Sequence, residues 1–389
     1  MKIKILLLGG GFQCLSAAHS LKTVGFEVIA FLVRGTEAQF SRFIDLKVYP
    51  PCNVQSSDYL QFLLSYLRHT PCSVIIPMTD KHAAFLSHYK QQIESASSAI
   101  CAVTSEPLFS QASNKGKLME FCRQHGFPHP RTFLLDKDNL EDSAAYVGFP
   151  ALIKPDNSVG ARGITLVRNV DELKRMFRPI SAQFGSCSLQ AYIQTNLGTP
   201  YYNVMIYRNR EGVILNSVVI EILRYYPLRG GSSSLCHTID SPELVHLCTE
   251  VLNAMNWHGF ADFDVLKDEN GDYNIIEINP RLPASVRAAE VAGVNFPEII
   301  VKDSLRLIVN TSKPQLDIFL RYLGLDLLWF FQSPYRFKTQ PSWFKFLGNR
   351  IYYQEGGWTD YKAMFFSLFL GMKKVFSFSF RQSKKGMNR

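Results

Sequence analysis

The chain has 389 residues, 47% of them hydrophobic and 19% charged, which argues against a mainly disordered chain and predicts two or three domains with sizeable cores. Its net charge of +9 is unevenly placed, because residues 315–389 contain twelve Lys or Arg and only four Asp or Glu. The basic character therefore belongs to the last fifth of the chain. No segment approaches about 18 uninterrupted apolar residues, so no membrane-spanning helix is expected.

The eight cysteines are scattered and form no C-x-x-C pair. In a chain of this length such spacing is typical of free thiols in a reducing compartment, which favours a cytoplasmic protein over a disulfide framework or a zinc site. The N-terminus has only a short apolar run before three glycines, and it predicts a first strand rather than a signal peptide.

Residues 1–110 predict a parallel α/β domain, because apolar strands alternate with helical stretches. The glycine turn at 9–11 suggests NAD or FAD binding, but Cys14 occupies the third glycine position and the second strand ends in Arg34 instead of an acid. A structural turn is the preferred interpretation. Asp80 follows the strand 74–77 at an edge that would face a cleft, and as a lone acid we interpret it as a helix cap.

Two lysines are candidates for binding phosphate. Lys115 falls in the first turn of a helix that Ser113 or Asn114 could cap, where a cation opposes the helix dipole. It is either a solvent-exposed lysine or a lysine facing phosphate. Lys154 ends a strand before a loop with Ser158, Gly160 and Gly163, whose backbone N–H groups could wrap an anion. A plain hairpin is the alternative, and no P-loop sequence occurs in the chain.

Residues 259–283 predict a β-hairpin with acidic side chains on one face. Asn270-Gly271 is a strong signal for a two-residue loop between two runs of alternating apolar residues. Side chains on a strand alternate between faces, so the loop fixes which residues meet. The resulting register sets two pairs opposite each other: Asp264 with Glu277, and Asp262 with Asn279.

Facing carboxylates repel each other, so this hairpin predicts a compensating cation. Magnesium takes few protein carboxylates and leaves its other positions to water and phosphate oxygens. Arg281 would bring a planar donor fork to the same site. The alternative is the solvated face of an amphipathic hairpin.

Arginines also occur where a substrate could bind. The stretch 223–234 combines Arg224 and Arg229 with flexible small residues, which suits a loop that closes over an anionic substrate. Arg287 follows the hairpin and could meet a substrate carboxylate. Each of these arginines could equally be a surface residue.

Taken in order, these features resemble the ATP-grasp superfamily of carboxylate-amine ligases over about residues 1–310. The chain looks most similar to D-aspartate ligase and to the ATP-grasp domains of carbamoyl phosphate synthetase. The motifs that carry the resemblance are Asn114-Lys115, Ile153-Lys154-Pro155 with the following glycine loop, Leu189-Gln190-Ala191-Tyr192-Ile193, and Asp264 with Glu277-Ile278-Asn279-Pro280-Arg281.

The resemblance implies a fold of mixed α/β and α+β class. Residues 1–110 would form a parallel α/β pre-ATP-grasp domain, and residues 111–310 an ATP-grasp fold of two α+β lobes gripping ATP. The glycine-loop lobe, at about 150–195, would be mobile. Residues 311–389 would be an aromatic-rich, basic C-terminal extension.

The resemblance also implies roles for single residues. Lys115 and Lys154 would hold the ATP phosphates under a loop containing Ser158, Gly160 and Gly163, and Lys154 and Arg281 would act in catalysis. Many members have a glutamate where Gln190 stands, although an amide can still accept from the adenine amino group. The adenine would meet Gln190, Ala191, Tyr192 and Ile193, and one or two Mg²⁺ (or Mn²⁺) ions would bind Asp264, Glu277 and Asn279.

The expected reaction activates a carboxylate as an acyl phosphate and joins it to an amine, releasing ADP and phosphate. An amino acid or a cell-envelope precursor is the expected substrate. Two alternatives stay open: activation of bicarbonate, as in carbamoyl phosphate synthesis or biotin carboxylation, and a catalytically idle ATP-binding scaffold at a membrane. The sequence leaves the oligomeric state open.

The C-terminal region, residues 315–389, has 20 of the chain's 50 aromatic residues among its basic ones. Aromatic and basic residues together suit an anionic membrane surface, and the apolar runs are too short to cross it. One interpretation is therefore a cytoplasmic protein with peripheral contact to the inner membrane face. The other is a small packed subdomain with a solvated basic tail. No nucleic acid is expected as a partner, because no reader motif is present.

Overall fold

The computed structural model describes residues 2–157, 162–193, 200–228, 231–377 and 380. The N-terminal domain consists of strands β1 (Lys4–Leu8), β2 (Glu27–Phe31), β3 (Leu46–Val48), β4 (Val74–Pro77) and β5 (Ile100–Cys101), with helices α1 (Phe12–Thr23), α2 (Tyr59–His69), α3 (Asp80–His88), α4 (Lys90–Ala96) and α5 (Glu106–Ser113). The strands pair in the order β3-β2-β1-β4-β5. All of these pairings are parallel, and a parallel sheet is what the sequence predicted. Continuous apolar runs form them because both faces of the sheet are covered.

A small second sheet follows the helix α6 (Lys115–His125). Its strands are β6 (Thr132–Leu135), β7 (Ala151–Pro155), β8 (Thr165–Val167) and β9 (Cys187–Ala191), covered by α7 (Leu140–Val147) and α8 (Val170–Phe184). The strand order is β6-β9-β7-β8. The lobe therefore begins before the predicted boundary near residue 150, because β6 pairs with β9 and α7 contributes to the same core.

The largest sheet has seven strands in the order β14-β13-β10-β11-β12-β15-β16. One face packs on the N-terminal domain and the other on α6 and α9. The remaining elements of the chain are β10 (Tyr201–Arg208), β11 (Ile214–Tyr226), β12 (Ser232–Ile239), α9 (Pro242–Ala254), β13 (Gly259–Lys267), β14 (Tyr273–Asn279), α10 (Val286–Val291), α11 (Phe296–Ser304), β15 (Phe319–Arg321), α12 (Leu323–Gln332), β16 (Ile351–Tyr353) and α13 (Tyr361–Phe376).

The C-terminal region is built into this sheet, which the sequence did not predict. β15 pairs with β12, and β16 pairs with β15, so both strands extend the large sheet. α13 packs against α12 and against a 3-10 helix of the N-terminal domain, Glu37–Phe40. Within the described residues, no helix has the length and apolar content needed to cross a membrane. All eight cysteines are free thiols, as expected.

Candidate active site

Two acidic residues face each other on one side of the hairpin β13–β14. Asp264 pairs in register with Glu277, and Asp262 pairs with Asn279, as the sequence predicted. The predicted two-residue loop is wrong, because the Asp268 N–H donates to the Asp272 carbonyl at 2.9 Å and closes a longer loop. A β-bulge beside the Asp264–Glu277 pair restores the expected register.

The bulge follows from the apolar residues of β14. Ile275 and Ile278 are both buried in the core shared with α6 and α9, although their odd spacing would normally place them on opposite faces. Ile276 is the extra residue, since the ladder passes from Glu277 directly to Ile275. The bulge keeps both isoleucines on the buried face and leaves Glu277 on the other side.

A lysine at the start of α6 lies against this acidic pair. Asn114 caps the helix by accepting the Lys117 N–H at 2.9 Å, which makes Lys115 the first helical residue. Lys115 Nζ lies 2.9 Å from Glu277 Oε2. A cation in the first turn opposes the helix dipole. The acidic hairpin that it faces accounts for its position.

Burial and neighbouring charges shift the pKa values of Asp264 and Glu277 in opposite directions. Burial raises the pKa of Asp264 well above its usual range, and the Glu277 and Asp262 carboxylates add to that effect. Burial also acts to raise the pKa of Glu277, but the Lys115 ammonium leads the opposing effects, which bring the value down to about 2. Asp262 is 2% exposed, and its Oδ1 has no hydrogen-bond partner among the described residues. The cluster thus offers buried acceptor oxygens that a cation would satisfy.

A strand of the small sheet carries a second lysine whose charge acts on the acidic pair. Lys154, at the end of β7, is 5% exposed and donates to Gln190 Oε1 on β9. Gln190 Nε2 in turn donates to Thr132 Oγ1 at 3.0 Å. The Lys154 charge also contributes to the low pKa of Glu277, so both lysines act on one carboxylate. A charge on the small sheet therefore acts on a carboxylate of the large sheet.

Arg281 connects the site to the N-terminal domain. Its Nε lies 3.0 Å from Asp80 Oδ1, and its Nη2 lies 3.2 Å from Asp80 Oδ2 and 3.3 Å from Asn279 Oδ1. The prediction that Asp80 caps a helix is wrong, because Thr79 is the cap of α3 and accepts the His82 N–H. Asp80 is a site residue that sequence reasoning missed, as is Asn203, which donates to Asp264 Oδ1. The position of Asp80 at the carboxyl end of β4 was the available signal.

Comparison with known proteins identifies the middle of the chain. The model of the ATP-grasp domain family matches residues 112–285, a range that includes the two lysines, the acidic hairpin and Arg281. Residues 112–285 are therefore an ATP-grasp domain. The predicted resemblance and fold class are therefore confirmed.

Two curated proteins are distant relatives of this chain. The carbamoyl phosphate synthase large chain of Methanospirillum hungatei is 23% identical over 215 residues, which cover 52% of this chain and 20% of that protein. The D-alanine–D-alanine ligase of Ectopseudomonas mendocina is 22% identical over 204 residues, which cover 49% of this chain and 64% of that protein. The chain thus spans about a fifth of the length of the synthase large chains that it matches.

A solved structure supports the fold over a longer range. The biotin carboxylase domain of the Hydrogenobacter thermophilus 2-oxoglutarate carboxylase, crystallised with MgADP and bicarbonate, aligns with a TM-score of 0.69 at 16% identity. The alignment covers 82% of this chain and 73% of that domain. It therefore extends beyond residues 112–285, which the family model matches.

The structure contradicts the prediction that Arg224 lies in a flexible loop over a substrate. Most of the predicted loop 223–234 is the hairpin of β11 and β12, and Arg224 is 2% exposed within it. Its Nε lies 2.8 Å from Asp326 Oδ1. Arg321 contacts the same carboxylate at 2.6 Å. Arg224 is a structural ion-pair partner of the C-terminal region.

The other predicted site residues have mixed outcomes. Arg287 Nε donates to the Tyr353 carbonyl at 2.9 Å, and its role in substrate binding stays a prediction. Gly163 has a φ of +75°, and a Cβ there would lie 2.7 Å from the Phe184 ring, so only glycine fits. Adenine binding by residues 190–193 is also still a prediction. Three predicted residues lie outside the described residues: Ser158, Gly160 and Arg229.

Proposed function

We propose that this protein is an ATP- and magnesium-dependent ligase that joins a carboxylate to an amine. A carboxylate oxygen would take the terminal phosphoryl group of ATP, releasing ADP and giving an acyl phosphate. The amine would then attack the acyl carbon, the bond to phosphate would break, and the amine would lose a proton. The observation that carries the proposal is the Asp264–Glu277 pair, which has Lys115 at 2.9 Å and Lys154 acting on the same carboxylate.

The donor set suits Mg²⁺ (or Mn²⁺). Asp264, Glu277 and Asn279 bring two carboxylates and an amide oxygen to one hairpin, which matches a hard cation that takes few protein ligands. Burial first, and then the neighbouring Glu277 and Asp262 carboxylates, raise the pKa of Asp264 well above its usual range, and a bound cation would favour its ionised form. A bound Mg²⁺ would offset the negative charge of the phosphate oxygens.

The chain's own residues would supply positioning and positive charge. Lys115 and Lys154 would hold the phosphates, Lys154 being oriented by its bond to Gln190. Arg281, held by Asp80, would face the acyl phosphate. Phosphoryl transfer depends mainly on such electrostatic stabilisation and needs no nucleophilic side chain.

The substrates are proposed by class. An amino acid or a cell-envelope precursor is supported by the likeness to a D-alanine–D-alanine ligase. Activation of bicarbonate is the second candidate, because the chain also resembles carbamoyl phosphate synthase large chains and the fold of a biotin carboxylase domain. Arg287, near the acidic hairpin in sequence, would contact a substrate carboxylate.

The test is to measure release of ADP and phosphate from ATP with panels of carboxylates and amines, with bicarbonate as a separate arm. An amide-forming ligase requires both a carboxylate and an amine for full turnover, whereas bicarbonate activation proceeds without an organic carboxylate. Asp264→Asn is the inactive control. Tight ATP binding with no turnover in any arm would indicate an idle scaffold and would contradict the proposal.

We also propose that the protein works in the cytoplasm, with its C-terminal region at the inner face of a membrane. The free cysteines support the first part. The excess of Lys and Arg over Asp and Glu in residues 315–389 supports the second, since the cytoplasmic leaflet is anionic.

A further inference from the structure

The last helix of the described chain exposes aromatic residues along one face. We define the aromatic stripe as six residues of α13 and the turn before it, which follow one another at spacings of three or four and so share a face. Trp358 is 78% exposed and Phe376 is 76% exposed. The stripe consists of Trp358, Tyr361, Phe365, Phe369, Met372 and Phe376.

A surface helix normally buries its large apolar side chains and exposes its polar ones. In α13 this arrangement is reversed. Its buried residues are small: Ala363, Ser367 and Gly371. They allow close approach to α12, where a Cβ added to Gly324 would lie 2.7 Å from the Gly371 Cα. The large side chains of the aromatic stripe consequently point away from the fold. An exposed apolar face of this kind marks an interaction site.

Charge identifies the class of partner. From Tyr361 to Arg389 the chain has seven Lys or Arg and no Asp or Glu. Lys362 and Lys373 are exposed and flank the aromatic stripe at helical spacing, whereas Lys374 turns inward to Tyr322 and Glu37. In a twofold dimer formed through this face the lysines of the two copies would meet, which is unfavourable. An anionic lipid surface accepts both the lysines and the aromatic rings.

We propose that the aromatic stripe is the surface by which this protein docks on an anionic phospholipid bilayer, with α13 lying parallel to the membrane plane. This inference makes the proposed membrane contact specific to six side chains, and it does not depend on the ligase activity. At 16 residues α13 is about 24 Å long, too short to cross the hydrocarbon core.

The fold provides a direct reporter of docking. Trp358 is exposed, whereas Trp257, Trp329 and Trp343 are each at most 8% exposed. Insertion of the stripe into lipid should therefore shift the tryptophan emission of the full chain to the blue, and Trp358→Phe should abolish the shift. A shortened chain is unsuitable, because truncation before Asp317 would remove β15, β16 and the buried partner of Arg224.

The experiment uses co-sedimentation of the full-length protein with phosphatidylcholine vesicles that contain about 30% phosphatidylglycerol or none. F365E/F369E should reduce partitioning to the anionic vesicles at least tenfold. V213E/I308E is the matched control, because it changes two other exposed apolar residues by the same charge and should stay within twofold of wild type. Thermal unfolding of both double variants verifies that they fold.

Three results would overturn the proposal. They are equal recovery of F365E/F369E and wild type with anionic vesicles, equal binding of wild type to neutral vesicles, and a wild-type dimer in solution that F365E/F369E dissociates. Vesicle binding is measured without nucleotide or substrate. Failure of the ligase assay would therefore leave this result unchanged, and the two failures can be told apart.

Discussion

Arg281 and Asp80 form a two-point ion pair, with Nε 3.0 Å from Oδ1 and Nη2 3.2 Å from Oδ2. The pair joins the Glu277-Ile278-Asn279-Pro280-Arg281 segment to the first residue of α3. A bidentate pair fixes the plane of a guanidinium as well as its position. The N-terminal domain thereby orients an arginine of the ATP-grasp domain.

Asp80→Asn should reduce kcat about 30-fold, because an amide can accept only one of the two N–H bonds that hold the guanidinium, and a loss of about 2 kcal/mol in the transition state corresponds to that factor. KM for ATP should change little, since the two lysines are untouched. Steady-state kinetics of the 389-residue protein measures both constants. Glu27→Gln is the control, because it removes an ion pair with Lys4 in the same domain. An unchanged kcat in Asp80→Asn would contradict the positioning role.

Glu277→Gln should raise the Mg²⁺ concentration needed for half-maximal activity at least about tenfold, because it removes one of two facing carboxylates. It also deprives Lys115 of its ion pair. Titration of activity with Mg²⁺ at saturating ATP measures the effect. Glu141→Gln removes the exposed ion pair with Lys174 on the small lobe and should leave the titration unchanged. If both variants respond alike, the hairpin is not the metal site.

Asp326→Ala should destabilise the fold by about 3–5 kcal/mol, because it leaves the Arg224 and Arg321 guanidiniums buried without their shared anion. Chemical denaturation measures the free energy of unfolding. Glu141→Ala, in which the replaced side chain is 77% exposed, is the control and should leave the free energy of unfolding almost unchanged. The folded fraction of Arg224→Met should keep a wild-type KM for every substrate. A raised KM would restore Arg224 as a binding residue.

Glu355 should make stability depend on pH. Burial raises its pKa to about 7, and its Oε2 has no hydrogen-bond partner among the described residues, while Oε1 accepts the Leu323 N–H at 2.9 Å. The folded state therefore binds this proton more tightly than the unfolded chain. The stabilisation is complete below the ordinary glutamate pKa and is lost as the pH rises to about 7.

Glu355→Gln removes this titration. Between pH 4.5 and a pH above 7, its free energy of unfolding should therefore rise by roughly 3 kcal/mol relative to that of wild type. Unfolding free energies of the two proteins across this range give the difference directly, so other titrating groups cancel. Asp317→Asn provides the comparison for an exposed acid. A constant difference between Glu355→Gln and wild type across the range would show that Glu355 titrates normally.

Local sequence rules predicted the parts of the site that local rules control. The period of side chains along a strand placed Asp264 opposite Glu277, and helix capping placed Lys115 at the start of α6. The loop length was wrong, yet the register was right, because the bulge at Ile276 compensates for one residue. The physical reason for the bulge is that Ile275 and Ile278 must both be buried in the same core. This requirement can be recognised in the sequence only after the core residues are known.

Long-range partners could not be predicted in this way. Asp80 and Arg281 are 201 residues apart, and no local pattern links them. Arg224 was expected at a flexible loop because glycines and serines follow it, but its partner Asp326 belongs to a region that was expected to lie apart from the fold. The alternation of aromatic and basic residues in 315–389 left open whether this region packs as a subdomain or contacts a membrane. Which aromatic residues face outward depends on the small residues of α13 that pack inward.

The bulge at Ile276 makes the tip of the hairpin independent of the acidic pair. Glu269, Asn270 and Gly271 are exposed, and the ladder from Val265 to Lys267 has its own alignment with β14. Residues can therefore be inserted at the tip without shifting Asp264 against Glu277. A short epitope or a dye-labelled cysteine grafted there would label the protein without disturbing the acidic pair, at a place where natural variation in loop length should also be tolerated.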